Sequence, residues 1–209
     1  MVTIDQIKEL RNLTGAGVGV VREALESTNG DVNEAIKYLR AKGLAKASKR
    51  KGKVTEHGVI GTYVHSNRKF VVVVEVACET DFAAKSEDMI KFANDLAVHI
   101  AAVGPKFISL ESVDKDILAA EFTAAEAGLE NKPQEIRKTI VDGKLEKFYK
   151  EVVLLKQILF TDETKTVEDY QNEMVAKIGE KIEVTQFYKF QVGEPVVFSK
   201  AINDEVIEE

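Results

Sequence analysis

The spacing of apolar residues changes once along this chain, and that change constrains the fold more than any other feature. From Ile4 to Leu39 apolar residues recur at the spacing of one helix face. From His57 to Val76 they instead show the alternation and short apolar runs typical of strands. The pattern predicts helices first and then a small sheet packed with further helices, which is an α+β fold.

Local helix signals divide the N-terminal segment into three short helices. Thr3 with Gln6 has capping-box spacing, and Asp31 with Glu34 repeats it before the third helix. Gly43 is expected to end that third helix in a left-handed conformation. None of these helices is long enough to be stable alone, so residues 1–43 are predicted to form a small bundle.

A basic segment follows the predicted bundle. Between Arg40 and Thr55 the chain carries Lys and Arg side chains but no acidic residue. Residues 44–56 are therefore expected to be a solvated linker. The segment could instead neutralise phosphates on RNA. No aromatic residue between Tyr38 and Tyr63 offers a surface for base stacking, so the linker interpretation is favoured.

Residues 57–200 are predicted to form the core. His57 to Val64 and Phe70 to Val76 have the pattern of a β-hairpin, and the second strand is apolar on both faces, which predicts a central position. A strand over Ile182 to Val192 is expected to join them in a three-stranded antiparallel sheet. Helices are predicted at Glu87 to Val103 with Ser86 as N-cap, Asp114 to Leu129, Pro133 to Val141, Leu145 to Leu155 and Thr166 to Ile178, with a break at Gly143. The acidic end, residues 201–209, is expected to fray.

Composition excludes several function classes. The 209 residues are 44% hydrophobic and carry a formal net charge of −6, which predicts a globular protein without overall attraction to DNA, RNA or an anionic membrane. The apolar run from Phe70 to Val76 is far shorter than the roughly 20 residues of a membrane-spanning helix. The first residues also lack the features of an export signal, so a cytoplasmic protein is expected.

The candidates for catalysis are few. Cys78 is the only cysteine, and with His57, His65 and His99 it forms no zinc-binding or triad pattern. A small buried thiol is the commoner explanation for a cysteine at the end of an apolar strand. Neither an enzyme nor a metal or cofactor is therefore expected. A small hydrolase using Cys78 stays as an alternative.

Closely spaced glycines at Gly15, Gly17 and Gly19 suggest a phosphate-binding loop. The segment follows a helix rather than a strand, and it lacks the Gly-Lys-Ser/Thr ending of a P-loop. A turn between two helices is the favoured interpretation.

The most informative segment is Cys78-Glu79-Thr80-Asp81-Phe82-Ala83-Ala84-Lys85, between the central strand and the long helix. Thr80 or Asp81 can cap a short helical turn from which Phe82 projects. Phe82 is then either a core residue, as a phenylalanine usually is, or an exposed contact for a partner. The residues alone leave both interpretations open.

At this point the chain resembles the elongation factor Ts family over nearly its whole length. The segment from Arg11 to Gly17 is similar to the opening signature of that family, and Cys78 to Phe82 is similar to its second signature. The hairpin Gly58 to His65 and the segment Phe187 to Glu194 also agree with family patterns.

The resemblance implies a guanine-nucleotide exchange factor that binds elongation factor Tu in its GDP-bound and nucleotide-free forms. It implies a ubiquitin-associated-like bundle over residues 1–43 and a core that together hold this GTPase. The residues carried over are Thr80, Asp81 and Phe82 near the magnesium site of the partner, Arg11, Val18, Gly19 and Arg22 in the N-terminal contact, and His65 in the hairpin contact.

The hairpin and its signature occur once here, whereas longer members of the family have a second core subdomain resembling a repeat of the first. A compact member is therefore expected to form a homodimer through the core. The alternative is a non-catalytic adaptor in which the bundle binds a peptide or nascent chain while the linker holds RNA.

Overall fold

The computed structural model describes residues 2–50 and 52–201, and these divide into two compact units. The first unit contains the chain as far as Val59, together with Val76–Phe92 and Glu168–Glu183. The second contains Ile60–Glu75, Ala93–Val167 and the chain from Val184 onward.

The helices and strands come in groups along the chain. The helices are α1 (Ile4–Thr14), α2 (Val18–Ser27), α3 (Val32–Arg50), α4 (Asp81–Ala84), α5 (Glu87–Val103), α6 (Lys115–Glu126), α7 (Gln134–Val152) and α8 (Val167–Ile178). The strands are β1 (His57–Val64), β2 (Phe70–Cys78), β3 (Ile158–Leu159), β4 (Asp162–Thr166), β5 (Ile182–Gln191) and β6 (Val197–Lys200). Residues 201–209 were predicted to fray. From residue 202 onward they lie outside the described part of the chain.

The first three helices pack as a bundle in the first unit. Thr3 Oγ1 accepts a hydrogen bond from Gln6 N at 3.2 Å, and Gln6 Oε1 accepts one from Thr3 N at 3.0 Å, which confirms the predicted capping box. Asp31 Oδ1 accepts from Glu34 N at 3.0 Å and caps the third helix. The shared core consists of Leu10, Val21, Ala24, Leu25 and Ala35, all fully buried.

The third helix is longer than predicted. α3 does not end at Gly43 but continues through much of the basic segment to Arg50. Gly43 is buried against α8, where a Cβ would lie 3.3 Å from the Asn172 carbonyl oxygen and 3.5 Å from the Ala176 Cβ. The glycine therefore allows close approach of two helices rather than a helix end, and this packing outweighs its low helix propensity.

The main sheet has the strand order β1-β2-β5-β6. β2 lies between β1 and β5, as its apolar faces predicted, and the α+β class is confirmed. The sheet has one strand more than the predicted three, because β6 pairs antiparallel with β5, with Lys189 opposite Val197. β3 and β4 form a separate two-stranded sheet that was not predicted. Both missed pairings involve strands too short to show a clear alternation.

Two glycines in the second unit have different roles. At Gly61 in β1 a Cβ would lie 2.1 Å from the Ala93 carbonyl oxygen, so the strand can pass beneath α5 only with glycine there. Gly143 was predicted to break a helix, and that prediction is wrong because α7 runs through it without interruption. An exposed helical glycine costs only about 1 kcal/mol, and packing of Val141 and Val152 on either side of it outweighs that cost. Among the described residues, no helix combines the length and apolar content needed to cross a bilayer.

Candidate partner-binding site

The turn after β2 carries the least expected side chain in the first unit. Phe82, in α4, is 91% exposed to solvent. Burying a phenylalanine side chain contributes about 1.5–3 kcal/mol to folding, and this one forgoes nearly all of it. The structure thus excludes a core position for Phe82, because its ring lies in solvent. We call residues 80–85 the Phe82 turn.

Short hydrogen bonds within the Phe82 turn set its conformation. Thr80 is the N-cap of α4, and its Oγ1 accepts from Ala83 N at 3.3 Å. Ala83 and Ala84 are buried directly beneath the exposed ring-bearing residue. A large apolar side chain is therefore held outward because its two small neighbours face the core.

Thr80 is also fixed from below by a distant carboxylate. Glu180, in the turn between α8 and β5, accepts from Thr80 N at 2.9 Å and from Thr80 Oγ1 at 2.6 Å. Both carboxylate oxygens are used, and hydrogen bonds to a charged acceptor are roughly twice as strong as neutral ones. Gly179, with a φ of +86°, ends α8 and directs the chain into this turn.

The neighbouring Glu79 makes the reciprocal contact. Its Oε1 accepts from the backbone N of Lys181 at 2.6 Å and from Arg50 Nη1 at 2.7 Å. The hydrogen bond from the Lys181 N–H is the main cause that holds the pKa of the Glu79 carboxyl below its ordinary value, and Arg50 adds a smaller effect in the same direction. Both contacts favour the ionised form of Glu79. Sequence analysis did not identify Glu79, Glu180 and Arg50 as supporting residues. Glu79 and Glu180 lie about 100 positions apart in the chain, and no local pattern links the two segments.

Asp81 lies beside Phe82 and is exposed. Lys85 Nζ donates to its Oδ2 at 2.6 Å. That hydrogen bond is the main cause that lowers the pKa of Asp81, and nearby His57 adds a smaller effect in the same direction. The Phe82 turn therefore presents an aromatic ring beside the Asp81–Lys85 ion pair.

Cys78 precedes the turn and is buried. Its Sγ donates to the Thr80 carbonyl oxygen at 3.2 Å. Burial, with the nearby charge of Glu180, raises the pKa of the Cys78 thiol above its ordinary value. A protonated, hydrogen-bonded thiol is a poor nucleophile, which argues against the hydrolase alternative.

The four predicted N-terminal contact residues lie around the α1–α2 turn. Arg11 is exposed in the last turn of α1, which Gly15 closes with a φ of +65°. Val18 and Gly19 begin α2 and are exposed, and a Cβ at Gly19 would meet open space. Arg22 is exposed one turn later and pairs with Glu26, on its own helix. The structure thus brings Val18, Gly19 and Arg22 together on the first turns of one helix.

His65 belongs to the second unit, at the end of the β1–β2 hairpin. Its backbone N donates to the Phe70 carbonyl oxygen at 2.9 Å, and its Nδ1 accepts from Asn67 N at 3.3 Å. The Tyr63 ring lies edge-on to the imidazole with a centroid separation of 6.2 Å. His65 is therefore held by its own hairpin turn and stays half-buried.

The described residues form no metal cluster at this site, and a cleft of the first unit is small. In residues 2–50 and 52–201, no three His, Cys, Asp or Glu side chains are grouped so that they could hold a metal ion. A cleft in the first unit, lined by Thr14, Val20, Leu39 and Ala176 among others, has a volume of about 60 Å³. Small-ligand pockets have roughly 300–1,000 Å³.

The fold and the candidate site define an α+β protein whose distinguishing feature is a rigidly supported, exposed aromatic turn. Comparison with known proteins gives the family. A family model described as elongation factor TS matches residues 2–194. The chain is 45% identical to elongation factor Ts of Geotalea uraniireducens over 92% of this chain and 90% of that protein. It is 44% identical to elongation factor Ts of Moorella thermoacetica over 96% of this chain and 100% of that protein. It is 42% identical to elongation factor Ts of Thermosipho melanesiensis over 93% of this chain and 100% of that protein. The chain belongs to the elongation factor Ts family.

Proposed function

We propose that this chain is a guanine-nucleotide exchange factor that binds elongation factor Tu and accelerates the release of GDP during translation elongation. The observation that carries the proposal is the 91% exposed Phe82 on a capped and hydrogen-bonded turn. The chain acts by binding rather than as an enzyme, needs no cofactor and works in the cytoplasm. Membership of the elongation factor Ts family supports this role.

Exchange of this kind needs no covalent step. A protein that binds the nucleotide-free GTPase more tightly than the GDP-bound form must, by thermodynamic linkage, weaken GDP binding by the same factor. The energy for nucleotide release therefore comes from the contacts that the exchange factor makes only when the nucleotide site is disturbed.

Phe82 and Asp81 are the residues we place at that site. Insertion of the Phe82 ring near the bound magnesium displaces groups that hold the metal, and the metal neutralises the GDP phosphates. Lys85 lowers the pKa of Asp81 and so favours its carboxylate form, and carboxylate oxygens are ligands that Mg²⁺ prefers. Thr80 caps the helix that presents both residues.

The other predicted residues supply affinity in this proposal. Arg11, Val18, Gly19 and Arg22 contact the nucleotide-binding domain of the GTPase, and their exposure around the α1–α2 turn leaves them available for that contact. His65 contacts a more distal domain of the GTPase from the hairpin.

Homodimerisation through the core is part of the proposal. In the second unit, β5 and β6 carry exposed aromatic residues, with the Tyr188 and Phe198 rings stacked at a centroid separation of 4.7 Å. An exposed apolar face of this kind marks an interaction surface. RNA and DNA contacts are not proposed, because Lys46 donates to the Ala176 carbonyl oxygen and Arg50 pairs with Glu79 within the protein.

The proposal is tested by stopped-flow measurement of fluorescent GDP release from elongation factor Tu, with and without the purified chain. We expect the release rate to rise with chain concentration and then to saturate. A non-catalytic adaptor would leave release at its intrinsic rate, and that result would overturn the proposal. Complex formation with the nucleotide-free GTPase, followed by gel filtration, gives a second and independent readout.

A further inference from the structure

The first unit contains an ionic arrangement beneath the Phe82 turn that the exchange role does not by itself require. Glu79 accepts from Lys181 N at 2.6 Å, and Glu180 accepts from Thr80 N at 2.9 Å. Each segment thus offers a carboxylate to the backbone of the other. We call Glu79 and Glu180 the carboxylate clamp.

The clamp joins the end of β2 to the turn between α8 and β5. Glu180 also accepts from the Thr80 hydroxyl at 2.6 Å, so the N-cap residue of α4 is held at its backbone and its side chain together. Two hydrogen bonds to one carboxylate fix orientation as well as distance. The exposed ring of Phe82 lies two residues from this fixed point.

A third element reaches the clamp from the N-terminal bundle. Arg50 is the last residue of α3, and its Nη1 lies 2.7 Å from Glu79 Oε1. The Glu79 side chain is 18% exposed and the Arg50 side chain is 37% exposed, so the carboxylate end of the pair is the one screened from water. The same helix packs against α8 through Gly43 and carries the Arg40–Glu173 ion pair at 3.8 Å. α3 therefore forms a continuous support from the bundle to the clamp.

We propose that Glu79 and Glu180 are positioning residues that hold Phe82 in its outward orientation before the partner arrives, and that Arg50 connects them to α3. This inference rests on the proposed function, since only that function gives the Phe82 turn a binding partner. A turn whose backbone is already ordered loses less conformational entropy on binding. A support that orders the Phe82 turn thus raises the rate of stimulated GDP release without touching the GTPase.

The first experiment measures the motion of the turn in the free protein. The sequence contains no tryptophan, so Phe82→Trp introduces a single fluorescent reporter at the site. Time-resolved fluorescence anisotropy is compared between this variant and its combination with Glu180→Ala. We expect a larger amplitude of fast local depolarisation in the combination, and an unchanged signal would overturn the inference.

The matched control for this experiment is Glu135→Ala, which removes an exposed glutamate from α7 in the second unit. It is expected to leave the anisotropy decay unchanged. Should Glu180→Ala fail to fold, Glu180→Gln carries the same measurement, because its amide oxygen can replace only one of the two carboxylate oxygens that accept from Thr80 N and Thr80 Oγ1.

The second experiment separates positioning from a general structural role. Glu180→Ala is expected to lower the saturated rate of stimulated GDP release by about fivefold, as for loss of hydrogen bonds to a charged group. In a chain that already carries Phe82→Ala, adding Glu180→Ala is expected to have almost no further effect. A purely structural residue would instead give additive losses, and additivity would overturn the inference.

The two proposals fail in different ways. If the unmodified chain does not stimulate release, the exchange function fails. The anisotropy measurement then still tests whether the carboxylate clamp orders the Phe82 turn in the free protein. If the chain stimulates release and Phe82→Ala abolishes it, but Glu180→Ala has no effect, only the positioning role of the clamp is lost.

Discussion

Phe82 shows how a residue of ordinary type becomes informative through its surroundings. Phenylalanine is normally buried, yet here buried Ala83 and Ala84 occupy the core side of the helix and leave the ring outside. The cost of exposing it is met by the rest of the fold, as is common at functional sites. A substitution of Phe82 is therefore the most direct test of the proposed exchange mechanism.

We expect Phe82→Ala to slow stimulated GDP release by about tenfold or more while the fold is kept, because the change truncates a central aromatic contact and removes no core packing. The measurement is the saturated release rate by stopped flow, with circular dichroism to check folding. Phe122→Ala is the control, since Phe122 is a helical phenylalanine that is 46% exposed on α6. Release at the unmodified rate in Phe82→Ala would remove Phe82 from the mechanism.

His99 is a buried histidine with both ring nitrogens engaged. Its Nδ1 accepts from Phe160 N at 3.1 Å, so Nε2 carries the proton and donates to Gln157 Oε1 at 2.9 Å. Burial lowers the pKa of His99 below its ordinary value. Protonation would remove the acceptor that Phe160 uses, so the neutral imidazole is the form that suits the folded protein.

The stability of the protein should therefore depend on pH below the pKa of an unfolded histidine, about 6.5. Because the folded pKa is the lower one, the contribution of His99 is complete above that value and is lost as pH falls. Between pH 7.5 and 5.5 the loss in the free energy of unfolding is at most about 1.4 kcal/mol.

Urea unfolding at these two pH values measures the effect. His99→Leu lowers the stability at both but should reduce the difference between them, whereas His57→Gln, at an exposed position, should keep it. An equal pH difference in His99→Leu and in the unmodified chain would contradict the assignment.

At the scale of the elements, α3 is one helix with two roles, whereas the sequence pattern predicted a bundle helix followed by a linker. Its first half completes the bundle through Ala35, and its second half lies on α8 through Gly43. The charged side chains of the second half find partners in the first unit, among them Glu173 and Glu79. A segment that looked like a solvated linker is a supported helix as far as Arg50.

The start of α2 offers a test of the N-terminal contact that spares the fold. Val18 is 51% exposed at the first position of the helix, where an acidic residue interacts favourably with the helix dipole. Val18→Asp should therefore fold normally but place a charge in an apolar contact. We expect the chain concentration for half-maximal stimulation to rise about tenfold, with the saturated rate unchanged.

The measurement is a concentration series of stimulated GDP release. Gln134→Asp is a matched control, because Gln134 is the first residue of α7 and the change in charge is the same. If Val18→Asp and Gln134→Asp behaved alike, the start of α2 would have no place in the contact with the GTPase.

For the molecule as a whole, the edge of the main sheet is the feature that bears on the oligomeric state. The sheet ends at β6 on one side, and Phe198 on that strand is 49% exposed. Edge strands with exposed apolar side chains tend to pair or to be covered. This supports the expectation that two chains associate through the core.

We expect sedimentation velocity of the free chain at micromolar concentration to show a dimer, and Phe198→Glu to shift it to monomer. The reason is that a charge buried in an apolar interface without a partner is strongly unfavourable. Ile117→Glu is the control, because Ile117 is similarly exposed and belongs to α6 rather than to the sheet. A monomer for the unmodified chain would contradict the homodimer.

Features determined by neighbours in the chain could be predicted from the sequence alone. The caps at Thr3 and Asp31 act over three residues, and the apolar spacing of α1, α2 and α5 depends only on the geometry of a helix. The central position of β2 followed in the same way from its apolar faces. The family signatures also gave the candidate residues around Phe82.

Features that depend on residues far apart in the chain were decided only by the tertiary structure. Helix propensity predicted breaks at Gly43 and Gly143, yet packing outside the local segment carries α3 and α7 through them. The exposure of Phe82 and the clamp of Glu79 and Glu180 arise where segments about 100 residues apart meet. Local sequence fixes which conformations a short segment prefers, whereas burial and long-range hydrogen bonds, each worth about 1 kcal/mol or more, choose among them.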